Sequence, residues 1–193
     1  MHIRVSHVEY PELEKTIAPY YTTKGVRLDV YIKDSDKIID VEMQSYPQEA
    51  LGKRTRYYQS MIDMDSLMKG QDYSELKDSY ILFICKHDPF KDEDKNHYGL
   101  PCYTFRNICK ENSAVNLNDK SLKVIYNASA YKEEKDDKVR AFLRFIQTNE
   151  PGYFPCMDAG VKQEQNFGLS EILSSEQNRK FCERRNSGGI TPL

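Results

Sequence analysis

Asp29, Glu42 and Gln44 are the residues of this chain whose types and spacing could do chemistry. They lie within RLDVYIKDSDKIIDVEMQ, residues 27–44. The runs RLDVYIK and IIDVEMQ are rich in β-branched and aromatic residues, and Asp34-Ser35-Asp36-Lys37 separates them, so the stretch reads as two strands joined by a polar turn. With Ser35-Asp36 as a two-residue hairpin loop, Asp34 pairs with Lys37 and Asp29 falls opposite Glu42. Side chains two apart share a strand face, so Gln44 points the same way as Glu42. Two carboxylates and an amide then converge on one patch of sheet. Hard oxygen donors gathered in this way suit Mg²⁺, and a site that cuts phosphodiester bonds needs such a cation. The plain alternative is a hairpin with a solvated polar face. Asp is poorly suited to strands, and Asp29 sits in mid-strand, which weighs against that alternative.

The surrounding elements must hold this hairpin in place. HIRVSHVEY, residues 2–10, reads as a strand, followed by a Pro-led segment and the polar run to Gly25. Ser45-Tyr46-Pro47 breaks the hairpin, and Pro47 suits the first turn of a helix. From Gln48 to about Lys69, ending at Gly70, apolar residues recur at spacings of three and four: Ala50, Leu51, Tyr57, Tyr58, Met61, Ile62 and Met64. Tyr80–Cys85 is a continuous apolar run bounded by charge, which reads as a strand buried on both faces. Short strands are expected at Cys102–Phe105 and Leu122–Asn127, and an amphipathic helix from Lys135 to Thr148. This order gives an α/β three-layer arrangement, a mixed central sheet flanked by helices, with the 80–85 strand parallel to a strand of the hairpin. Residues 1–150 form the expected domain. Residues 151–193 read as an atypical tail with a short helix near 169–183 and a disordered end at NSGGITPL.

Composition narrows the classes. The chain has 193 residues, a net charge of −2 and 39% hydrophobic residues, enough for one domain with a single core. The near-neutral charge means that any contact with nucleic acid comes from a local basic patch, best represented by Lys53-Arg54-Thr55-Arg56. No apolar run approaches the ~20 residues that span a bilayer, and the first residues lack the apolar stretch of a signal peptide. A cytoplasmic protein is expected. Five irregularly spaced cysteines fit reduced thiols better than a zinc site or a disulfide framework. His87, Asp88 and His97 are weak loop candidates for a ligand set, and Asp63 and Asp65 read as a solvated helix edge.

On the long helix, Arg54 and Tyr58 are four apart and share a face. A guanidinium beside the hairpin could bind a scissile phosphate bidentately, with the Tyr58 hydroxyl adding a hydrogen bond.

From about Gly25 to Asn107 the chain resembles the PD-(D/E)xK nuclease-like transposase family, also called the Rpn family of recombination-promoting nucleases. The resemblance rests on GVRLDVYIKD, IIDVEMQ, KRTRYYQSMIDMDSL, KGQDYSELKDSYILFICKHDPF and YTFRN in that order, with LKVIYNAS and DKVRAFLRFI also fitting. It implies a restriction-endonuclease-like core and metal-dependent DNA endonuclease activity of the mobile-element or recombination type. It implies Mg²⁺, or another divalent cation such as Mn²⁺ or Ca²⁺, held by Asp29 and Glu42. Gln44 stands at the position where the wider superfamily carries lysine and would position water or phosphate, with Arg54 and Tyr58 binding phosphate. DNA is the implied partner, no membrane is involved, and a homodimer is compatible with the architecture. Such proteins usually begin with a helical segment, whereas this chain reads as starting almost directly at a strand. The alternative expectation is therefore a truncated, catalytically inactive transposase remnant that binds DNA or a protein partner.

Overall fold

The structure, a computed structural model, describes residues 12–18, 22, 24–47 and 49–149. All of them belong to one compact unit, His7–Phe154. Six strands form one sheet: β1 (Glu12–Ile17), β2 (Val26–Lys33), β3 (Lys37–Gln44), β4 (Asp78–Cys85), β5 (Cys102–Phe105) and β6 (Ser121–Asn127). Their spatial order is β1-β2-β3-β4-β6-β5. The first three strands meander antiparallel, β3, β4 and β6 run parallel, and β5 closes the sheet antiparallel to β6. The sheet is mixed and flanked by helices, as the sequence led us to expect, and compatible with a restriction-endonuclease-like core.

The hairpin has the expected register. Tyr31 pairs with Asp40 and Val30 with Val41, and the Asp34 N–H donates to the Lys37 carbonyl at 2.9 Å across the Ser35-Asp36 loop. The Asp34 carboxylate accepts the Ser35 N–H at 2.7 Å, fixing the turn locally. Parallel pairing of β3 with β4 requires a crossover, and α1 (Leu51–Ser66) supplies it. β4 lies near the middle of the sheet. Its residues Ile81 to Cys85 are all buried, which is why this stretch shows no alternation in sequence.

α1 packs its Leu51, Thr55, Tyr58 and Ile62 stripe on the sheet face that carries Tyr31, Phe83 and Ile125. Each such fully buried apolar side chain stabilises the fold by about 1.5–3 kcal/mol. The Tyr58 and Phe83 rings meet at 6.2 Å, and Lys15 of β1 reaches Asp65 of α1 at 2.8 Å. The helix begins later than its apolar pattern suggests. Ala50 precedes it with φ of 61°, and Leu67, extended, ends it before the left-handed Gly70. Near the other end of the unit, α2 (Asp137–Thr148) is capped by Asp136, whose carboxylate accepts the Lys138 and Val139 N–H groups. It buries Phe142, Leu143 and Ile146.

One strand was not expected. β1 occupies ELEKTI, where a polar connecting segment was read. Its alternation is hidden because it carries charges on both faces of a sheet edge. The strand expected at 2–10 and the tail expected at 151–193 lie outside the described residues. Cys85, Cys102 and Cys109 are free, and burial pushes the Cys85 thiol up to about 12.

Candidate active site

The hairpin delivers Asp29 and Glu42 to each other at the point where its regular ladder ends. Beyond the Val30–Val41 pair, side chains take over from backbone partners. The Asp29 N–H donates to Glu42 Oε1 at 2.9 Å, and the Met43 N–H donates to Asp29 Oδ2 at 3.0 Å. Each carboxylate thus satisfies a main-chain donor of the opposite strand. The same spot is irregular in β1: the β1–β2 pairing skips Glu14 and Asp29, and Glu14 takes φ of 59°. The core-facing side chains of β2 change parity across Asp29, from Val26 and Leu28 to Tyr31. Such interruptions re-aim side chains, and they cluster beside functional positions.

Gln44 and Arg54 complete the network. The Gln44 amide Nε2 donates to the Tyr46 carbonyl at 2.8 Å, which turns its Oε1 toward α1, where it accepts Arg54 Nη1 at 2.7 Å. Arg54 Nη2 donates to Glu42 Oε2 at 2.9 Å, and Nε donates to the Tyr58 hydroxyl at 3.0 Å. The guanidinium carbon sits 5.0 Å from the Tyr58 ring centroid and 5.1 Å from that of Phe83. Asp29, Glu42, Gln44, Arg54 and Tyr58 therefore lie in one continuous network, and Arg54 is the hub. Burial, followed by the nearby Glu42 charge, raises the Tyr58 hydroxyl pKa, so it stays protonated.

Asp40 was missed. It lies two residues before Glu42 on the same strand face, is fully buried, and neither of its oxygens has a hydrogen-bond partner. Burial raises its pKa well above the ordinary carboxylate value. The Glu42 and Asp29 charges raise it further, and Arg54 opposes them. The signal was available: Asp40 is a mid-strand acid in the same two-residue rhythm as Glu42 and Gln44.

His87 and His97 are exposed and join no site. Asp88 is buried and structural: it accepts the Phe90 N–H at 3.0 Å, the Gly99 N–H at 2.8 Å and the Tyr103 hydroxyl at 2.7 Å, which pins the loop between β4 and β5.

Among the described residues, no group of three or more His, Cys, Asp and Glu is arranged to hold a metal ion. The donor chemistry nevertheless fits a hard divalent cation. The Glu42 carboxylate accepts the Asp29 backbone N–H, the Asp29 carboxylate accepts the Met43 N–H, and the buried Asp40 carboxyl beside them has no hydrogen-bond partner of its own. Burial and the neighbouring Glu42 and Asp29 charges favour the neutral form of Asp40, and a bound cation would offset those charges.

The model of the PD-(D/E)XK nuclease family transposases matches residues 2–151. No curated protein and no solved structure matches the chain. Among the described residues no helix is long and apolar enough to cross a membrane.

Proposed function

The chain belongs to the PD-(D/E)XK nuclease family transposases, and from that premise we propose that it is a metal-dependent DNA endonuclease of the mobile-element type that hydrolyses phosphodiester bonds in the cytoplasm. The observation that carries this reading is the crossed bonding of the two strands at the site, Asp29 N–H to the Glu42 carboxylate and Met43 N–H to the Asp29 carboxylate, with Gln44 and Arg54 in the same network. Asp29 and Glu42 would hold the cation, Mg²⁺ or another divalent ion such as Mn²⁺ or Ca²⁺. When bound, such a cation lowers the pKa of a water and takes up charge on the phosphate. Gln44 cannot act as a charged partner in the way a lysine does. Its carboxamide, oriented by the Tyr46 carbonyl, positions water or a phosphate oxygen by hydrogen bonds. Arg54 supplies a planar guanidinium for the charge that builds on the phosphate, and Tyr58 orients it through Nε. The products are a 5′-phosphate and a 3′-hydroxyl.

A second reading is a catalytically inactive copy that binds DNA or a protein partner. It draws on the hold of Arg54 over Glu42 and Gln44, which already neutralises part of the acidic site. Nicking of supercoiled plasmid in Mg²⁺ or Mn²⁺ separates the two. The wild type should nick and Asp29→Ala should not. Equal nicking by the Asp29→Ala protein would show that the site is elsewhere. Absence of wild-type nicking at every metal concentration, with DNA or protein binding retained, would favour the inactive copy.

A further inference from the structure

Arg54 and a divalent cation have the same claim on Glu42. The Glu42 side chain is only 1% exposed, and its two oxygens already receive the Asp29 N–H and Arg54 Nη2. Arg54 is committed on three sides, to Glu42, Gln44 and the Tyr58 hydroxyl, and its plane lies near two aromatic rings. A hard cation takes carboxylate oxygens directly, and a second full positive charge at hydrogen-bond distance from the same carboxylate opposes its binding. Asp40, buried beside this pair, has no hydrogen-bond partner.

Resting on the metal-site reading above, we infer that Arg54 is a built-in competitor of the divalent cation, so that loading the cation on Glu42 and releasing Arg54 from Glu42 and Gln44 are one coupled event. The coupling orders the chemistry. The arginine becomes available to a DNA phosphate only as the cation arrives, and a phosphate that draws Arg54 away must tighten cation binding by the same factor. In the absence of both, the arginine keeps Glu42 paired in its buried position. Arg54 therefore sets the cation affinity of the site in addition to any contact it makes with phosphate.

The test is Mn²⁺ binding by the full-length protein without DNA, read from the electron paramagnetic resonance signal of free Mn²⁺. Four proteins are compared: wild type, Arg54→Gln, Asp29→Asn and the double variant. The expected result is that Arg54→Gln binds Mn²⁺ about tenfold more tightly than wild type and that Asp29→Asn removes this binding in both backgrounds. If Arg54→Gln binds no more tightly than wild type while Asp29→Asn still abolishes binding, the competition is overturned and the metal site stands. If binding is absent, or indifferent to Asp29, the metal site itself is overturned and the competition with it. Should Arg54→Gln fail to fold, the wild type alone decides. The ¹⁵N-labelled Arg54 Nε resonance must change in step with Mg²⁺ binding, and an unchanged resonance at saturation overturns the inference.

Discussion

Removing Arg54 should cost the fold more than neutralising the acid it pairs with. The pair is close, with Nη2 to Oε2 at 2.9 Å, and unequal, since the Arg54 side chain is 26% exposed and Glu42 1%. With charge centres about 4 Å apart and an effective dielectric of about 20, the attraction is about 4 kcal/mol. Partial exposure of the arginine screens it, leaving a coupling of about 2 kcal/mol. In Arg54→Met the Glu42 carboxylate stays buried with its counter-ion removed, and the loss should be about 3 kcal/mol. In Glu42→Gln the guanidinium keeps Gln44 and Tyr58 and can reach water, so the loss should be only about 1–2 kcal/mol. The double variant should recover most of the coupling and be less destabilised than the sum of the singles. Urea unfolding at pH 7 with EDTA, followed by circular dichroism and tyrosine fluorescence, measures all four corners of the cycle. A coupling below about 0.5 kcal/mol, or a larger loss for Glu42→Gln than for Arg54→Met, would refute the account of a buried acid held by a partly exposed arginine.

Two further outcomes follow from the buried acids Asp40 and Asp88. Asp40 has a raised pKa in the folded chain, so the native state retains a proton that the unfolded chain has released. Its favourable contribution is complete below the unfolded carboxylate value and is lost as pH rises toward the folded one. Asp40→Asn should therefore be more stable than wild type at pH 8 by about 1–3 kcal/mol, with the gap closing toward acid pH. Denaturant titrations from pH 5 to 8 that give a constant gap would contradict this. Asp88→Ala should strand the Phe90 and Gly99 amides and the Tyr103 hydroxyl, destabilising the loop by about 3 kcal/mol. Hydrogen exchange at Gly99 should accelerate accordingly, and unchanged exchange there would remove Asp88 as the loop's anchor.

Much of the sheet could be read before folding because its signals are local. The hairpin register depends on a two-residue loop and a period of two, and both are written in residues 27–44. The buried strand at the centre shows as an uninterrupted apolar run because both of its faces are covered. β1 did not show, since an edge strand with charged residues on both sides carries no pattern that separates it from a loop. Asp40 went unnoticed for a related reason. Its meaning comes from having no partner, and partners contributed by other elements do not appear in one strand's sequence.

The sequence by itself determined which residues face one another across the hairpin, and so placed Asp29 opposite Glu42 with Gln44 alongside. It also put Arg54 and Tyr58 on one side of a helix, since a spacing of four permits nothing else. Tertiary structure alone decided how these groups divide their bonds. Packing α1 on the sheet aims the guanidinium at Glu42 and Gln44, the irregularity at Glu14 interrupts the β1–β2 pairing at Asp29, and the closed core leaves Asp40 without a partner. Local rules fix direction along a strand or helix. Distance, burial and charge balance between elements arise only when the elements meet, and at this site they pair Glu42 with Arg54.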